Sequence, residues 1–267
     1  ASASAWTDGD ERRTMTPLGR LAHELRLAAV ALQFLSRIPV PGAVGFRPDW
    51  LHRCVRHFPL VGALIGAAGA AVLALAQALW PPLVAATLAV AFSVWLTAAF
   101  HEDGLADTFD ALLGAARRER ALVIMKDSRI GSYGAAALVL VLLARVATVA
   151  ALLPQGVVVA CAGWLASHVL ARAAAVVVMT ALPYAGDAEH AKAKPLALDV
   201  RGRDAAVALL WCTGLWALPL PSARLVAAAL AAAAVAALMA HWLNRRLGGY
   251  TGDTLGATEQ LAEVAVL

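Results

Sequence analysis

Charge is scarce in this chain. Asp, Glu, Lys and Arg make up 15% of its 267 residues, against about 25% in soluble domains. Cysteine is scarcer still. Cys54, Cys161 and Cys212 stand alone, with no CxxC spacing, so they carry no metal or redox signal and read as small buried hydrophobes. The opening string ASASAWTDGDERR lacks the apolar run of a signal peptide. What the chain has in excess is apolar surface. The set AVILMFWYC accounts for 61% of it, and 20 Gly raise the share to roughly 68%, against about 45–50% for a soluble domain. Mean hydropathy is +0.71. These figures argue against a soluble enzyme, a disordered chain and a nucleic-acid-binding domain. They point to an all-α, polytopic integral membrane helical bundle. The net charge of +4 is then first a matter of membrane topology, with no nucleic-acid partner implied.

A bilayer core needs about 20 mostly apolar residues per helix. Six runs are read as spans: Phe58–Trp80, Leu83–Phe100, Gly134–Leu153, Val157–Leu182, Ala205–Leu220 and Leu225–Leu243. Ala205–Leu220 is the shortest. Leu27–Leu35 is too short to cross and is expected to lie in the interface or to re-enter. Residues 1–15 are read as a disordered or vector-derived start, with Met15 as a candidate native first residue. Residues 16–267 are read as one membrane-embedded domain, with Asn244–Leu267 as its tail. Six spans place both termini on one side. Of 22 Lys and Arg, Arg224 falls in an outer turn and Arg145 and Arg172 fall within spans, which leaves 19 on the opposite side. The positive-inside rule makes that side cytoplasmic. On this map no acidic residue enters a span, so the polar chemistry gathers at one membrane face. A transporter would spread it along a path. Gly62/Gly66 and Gly66/Ala70 have the small-xxx-small spacing of a close helix contact, within one chain or in a homo-oligomer.

The densest chemistry is His101-Glu102-Asp103-Gly104-Leu105-Ala106-Asp107-Thr108-Phe109-Asp110. If the second span continues as a helix, Asp103, Asp107 and Asp110 share one face. Carboxylates so placed repel unless a cation joins them, and Mg²⁺ binds through one or two carboxylates plus substrate phosphates. Lys126, Ser128, Arg129 and the Gly131 backbone offer phosphate contacts, and equally the basic flank of a span. Gly248, Gly249, Gly252 and Gly256 surround Asp253, a pattern that suits tight backbone around an ion or ligand, with Asp253 completing a metal site. The alternative is a flexible tail. Gly186–Pro195 reads as a solvated loop or a substrate lid. Arg145 and Arg172 are costly within spans, so each must snorkel, pair with a carboxylate or reach phosphates in a polar cavity. His168 and His241 read as packed or hydrogen-bonded helix residues. The spacing DGLAD is similar in logic to that of membrane enzymes that transfer a phosphoalcohol from a CDP-linked donor, but their DGxxAR arginine is absent.

Taken together, HEDGLADTFDALLG, IMKDSRIGSYG and GGYTGDTLGA, with the earlier QFLSRIPVP and HFPLVGALIG, resemble the cobalamin synthase family, the adenosylcobinamide-GDP ribazoletransferases. The likeness runs from about Leu27 to Ala257. One departure is Ala111, where the family usually has Gly. The resemblance implies a Mg²⁺-dependent enzyme of a bacterial inner membrane, with both termini and the active site facing the cytoplasm. It would join adenosylcobinamide-GDP to α-ribazole or its 5′-phosphate, releasing GMP. It further implies metal binding by Asp103, Asp107, Asp110 and Asp253. Lys126, Ser128, Arg129, Arg145 and Arg172 would hold phosphate, and His101, Glu102 or an aspartate would accept the hydroxyl proton. A lipid phosphoalcohol transferase and a corrinoid or metal transporter are the competing expectations.

Overall fold

The computed structural model describes residues 16–45, 47, 50–114, 117–186, 200 and 202–267. The start at 1–15 and most of the 186–195 string lie outside them. Among the described residues the chain is helical, with one isolated bridge between Tyr184 and Tyr250. In order come α1 (Pro17–Leu35), α2 (Trp50–Cys54), α3 (Phe58–Gln77), α4 (Pro82–Leu96), α5 (Phe100–Leu113), α6 (Arg118–Ile124), α7 (Ser132–Leu152), α8 (Val157–Ala181), α9 (Gly202–Cys212), α10 (Ser222–Leu247) and α11 (Gly252–Val266). Proline marks the starts. Pro59, Pro82 and Pro17 sit in the first turns of their helices, where the missing N–H costs nothing.

Among the described residues four stretches are long and apolar enough to cross a bilayer: Trp50–Gln77, Ser132–Gln155, Val157–Ala181 and Ser222–Leu247. The pair α4 and α5 makes a fifth if taken as one broken span. The membrane bundle is therefore as expected, with a count below six for two reasons. First, α9 has 11 residues before the chain tightens into a 3₁₀ turn at Thr213–Ala217, which is short of a span. Second, the expected continuation of the second span fails. The chain turns by 88° between α4 and α5. Ala98 and Ala99 both take left-handed backbone, at φ 57° and 55°, a conformation that costs a residue with a Cβ roughly 1–2 kcal/mol. The acidic string therefore lies on its own helix, set across α4.

The core is built around α8, most of whose residues are buried. The small residues of α3 face it. A Cβ on Gly62 would meet the His168 carbonyl and the Arg172 side chain, one on Gly66 would lie 3.2 Å from Leu165 Cα, and one on Gly69 would strike the Trp164 ring. The small-residue stripe thus serves a contact within the chain. The presumed tail also turned out otherwise. Residues 244–247 finish α10, and α11 buries Thr254, Gly256, Ala257, Thr258, Glu259, Gln260, Ala262 and Glu263 inside the bundle. Leu267 packs against a cluster that includes Leu73, Ala85 and Trp164. The C-terminal helix therefore packs within the bundle.

Candidate active site

The acidic string forms α5 with Glu102 and Asp103 in its first turn, where carboxylates favour the positive end of the helix dipole. His101, Glu102, Leu105, Thr108, Ala111 and Leu112 are buried, Asp107 and Asp110 are half-buried, and Asp103 is exposed. Ala111, where the resemblance expects Gly, is fully enclosed in the main core.

Asp110 has a job of its own. Its Oδ2 accepts the Gly131 N–H at 2.6 Å and its Oδ1 accepts the Gly134 N–H at 2.8 Å. Those amides open α7, whose N-cap Gly131 has no side chain to satisfy them. Asp110 caps α7 from a neighbouring helix. Gly131 and Gly134 lack a Cβ because the Asp110 carboxylate fills that space, and at Gly134 the Ala106 carbonyl also lies 2.7 Å away. Of the four expected metal ligands, Asp110 already accepts two backbone amides. Asp110→Ala is expected to lower stability by about 2 kcal/mol through two lost amide acceptors, read as an earlier thermal midpoint in detergent. An unchanged midpoint would refute the capping role.

The C-terminal string meets α5 by backbone. A Cβ on Gly104 would sit 2.6 Å from the Asp253 carbonyl oxygen and 3.0 Å from its Cα. One on Gly256 would lie 3.1 Å from the His101 carbonyl oxygen. The half-buried Asp253 is thereby set against the turn that runs from Asp103 to Asp107. The four glycines expected to wrap one ligand do separate work. Gly248 ends α10 with φ 70°, Gly249 closes on the Pro183 carbonyl, Gly252 opens α11, and Gly256 lets α11 cross α5. Thr251 and Thr254 form a reciprocal cap on α11, and the Thr251 hydroxyl donates to Met125 Sδ at 3.7 Å.

Met125 brings in the loop between α6 and α7. Lys126, Ser128 and Arg129 are exposed there, as a phosphate-facing loop requires. Arg129 is gripped by Asp127, with Nε–Oδ1 at 3.0 Å and Nη2–Oδ2 at 2.6 Å. The guanidinium hydrogen bond draws the Asp127 carboxyl down to about 2. The opposite side is closed by the Tyr184–Tyr250 bridge, in which the Ala185 N–H donates to the Tyr250 carbonyl at 2.8 Å and the Tyr250 N–H to Pro183 at 3.0 Å. Burial, then the neighbouring Tyr184, pushes the Tyr250 hydroxyl up to about 12. Arg118 ties this corner together: its Nε donates to the Leu247 carbonyl at 2.7 Å and its Nη2 to the Ala185 carbonyl at 3.2 Å.

Arg145, Arg172, His101 and Glu102 lie elsewhere. All four are buried in an internal polar cluster with Glu259, Gln260 and Glu263 of α11. Arg145 pairs with Glu263 at 2.5 Å and donates to Gln260 at 3.1 Å, Ser93 at 3.3 Å and Glu102 at 3.4 Å. Its guanidinium stacks over Trp164 at 5.6 Å. Arg172 pairs with Glu259 at 2.7 Å and Glu263 at 3.3 Å. His101 meets Glu259 and His168 meets Glu263, both at 2.8 Å. The arginines thus take the carboxylate-paired alternative, not the phosphate-holding one, and acidic side chains do enter the bundle. The sequence held a signal for this: Glu259, Gln260 and Glu263 lie on one helical face, and two arginines stranded in apolar runs need such a face. His241 is exposed on α10.

A second cluster went unread in the sequence. Arg56 pairs with Asp204 at 2.5 Å and Glu24 at 3.2 Å. His57 meets Glu24 at 3.0 Å and accepts the Trp211 indole N–H at 3.2 Å. It joins α1, the turn before α3 and α9.

Among the described residues no three His, Cys, Asp or Glu side chains form a ready-made metal cage. The end of α5 that meets Asp253 at Gly104 instead carries Asp103 and Asp107, and the basic loop is joined to it through Met125 and Gly131. Spanning helices with such an end define a multi-pass membrane protein with a polar site built from three distant strings. The chain belongs to the cobalamin-5-phosphate synthase family, whose model matches residues 27–267. It is 50% identical to the adenosylcobinamide-GDP ribazoletransferase of Leptothrix cholodnii, over 93% of this chain and 96% of that one. It is 43% identical to the protein of that name from Albidiferax ferrireducens, over 90% and 95%, and 42% identical to the one from Shewanella amazonensis, over 91% and 94%. No solved structure matches.

Proposed function

We propose that the chain joins adenosylcobinamide-GDP to α-ribazole, or to its 5′-phosphate, and releases GMP. The observation that carries this reading is the backbone contact between Gly104 and Asp253, which sets two acidic strings side by side, while Thr251 on Met125 and Asp110 on Gly131 tie in the loop that carries Lys126, Ser128 and Arg129. A ribose ring hydroxyl oxygen that is free in both acceptors attacks the corrinoid-side phosphorus. A new P–O bond forms, the bond to the bridging oxygen breaks, and GMP departs with that electron pair. Asp103, exposed in the first turn of α5, and the half-buried Asp107 one turn on take up the hydroxyl proton. His101 and Glu102 are occupied by Glu259, Arg145 and Gln260. Lys126 and Arg129 hold diphosphate charge, with Arg129 oriented by Asp127.

The donor set suits Mg²⁺. It comprises carboxylate oxygens, few in number and accessible, which fits an ion that binds through one or two carboxylates and fills its shell with phosphate and water. Asp103, Asp107 and Asp253 would hold it, and it would neutralise charge on the diphosphate. The basic residues around the site, Arg117, Arg118, Arg120, Lys126 and Arg129, favour a cytoplasmic face of the inner membrane.

The test is direct. Purified protein in detergent, given both substrates and Mg²⁺, is expected to release one GMP per corrinoid joined, and none with a chelator or with a CDP-linked lipid donor. No GMP from the paired substrates would refute the assignment. GMP release that persists with the chelator would refute the metal.

A further inference from the structure

The internal cluster binds no surface group, yet it reads along α11 in step with the open site. Asp253, Gly256, Glu259 with Gln260, and Glu263 follow one another at intervals of three or four residues and share a face. Each meets a fixed partner. Asp253 and Gly256 lie against Gly104, Gln260 donates to Glu102 at 3.1 Å, Glu259 takes His101 and Arg172, and Glu263 takes Arg145 and His168. The glycine crossing alone is a smooth notch, along which a helix can slide or roll. Directional ion pairs one and two turns further on remove that freedom. In the buried cluster an ionic group displaced from its partner meets apolar surroundings, at a cost no apolar contact imposes.

We propose that Glu259, through its pairs with Arg172 and His101, is a positioning residue that fixes α11 on α5 and so sets Asp253 opposite Asp103 and Asp107. Its bearing on metal binding rests on the function proposed above, while the register itself does not. Neither Glu259 nor Arg172 touches substrate in this scheme. Both act through Asp253.

The test compares Glu259→Gln with the double variant Arg172→Met/Glu259→Met, which removes one positive and one negative charge together and leaves Glu263 paired with Arg145 and His168, at the cost of the His101 contact. Two readouts are used besides turnover. One is Mn²⁺ binding to the detergent-purified protein, followed by electron paramagnetic resonance. The other is the distance between spin labels on Gly252→Cys and Val139→Cys, in a background without the three native cysteines. Gly252 has open space around it and Val139 is exposed. The double variant is expected to stay folded, with Mn²⁺ affinity about tenfold lower. Its label distance should move or broaden by about 3 Å, half a helical turn. In turnover, kcat falls while KM for α-ribazole holds, and Glu259→Gln lies between. A folded double variant with wild-type affinity and distance overturns the proposal. Collapse of both variants assigns the pair to folding and overturns it too. If the wild type itself binds no Mn²⁺, the metal reading fails and the distance alone decides the register.

Discussion

Asp107→Asn is expected to lower GMP release by about 10²–10³-fold, the loss typical when one group that stabilises developing charge is removed, with helical content unchanged. Asp103→Asn should act alike. Both carboxylates stand on the accessible side of α5, one turn apart, where the amide keeps the shape and removes the charge. The informative contrast is with Asp110, one turn further. Its carboxylate is engaged by two backbone amides, so Asp110→Ala should cost stability first. Three aspartates that look equivalent in sequence thus separate into two that fail in chemistry and one that fails in folding. Full GMP release by both Asp103→Asn and Asp107→Asn would sink the assignment of the site.

Arg145→Met should be the most damaging single change to stability, at about 3–5 kcal/mol, measured as an earlier midpoint in thermal or denaturant unfolding. The loss comes less from the missing pair than from what stays behind. Glu263 and Glu102 keep their charge in an interior where Arg145 had supplied four polar contacts, to Glu263, Glu102, Gln260 and Ser93. Adding Glu263→Gln should recover part of the loss, because it removes the stranded charge. A midpoint equal to wild type in Arg145→Met, or no recovery in the double variant, would show that the cluster does not hold the bundle together.

Much of the architecture was legible because it is local. A span announces itself in about twenty consecutive residues, and α3, α7, α8 and α10 follow the apolar runs closely. The acidic string was legible for the same reason, since its spacing survives inside α5 whatever α5 packs against. Properties that depend on distant partners did not show. The turn at Ala98–Ala99 carries neither Gly nor Pro, so no breaker marks it. Helix α11 looked like a tail because its hydropathy is low, and its polar residues make sense only beside Arg145 and Arg172. Asp110 looked like a ligand until the bare amides of α7 were set beside it. The glycines around Asp253 looked like one cradle, and packing distributes them among a helix end, a carbonyl approach and a helix crossing.

The lateness of α11 in the chain bears on how the protein is made. Arg172 precedes Glu263 by 91 residues. At the pace of synthesis, about 5–20 residues per second, its span waits roughly 5–20 s in or near the bilayer before that partner leaves the ribosome. Through that interval the two arginines depend on water, lipid headgroups or the insertion machinery to offset their charge. The emergence of α11 releases them from that dependence, so nascent chains cut short before Glu259 should accumulate as targets for membrane proteases.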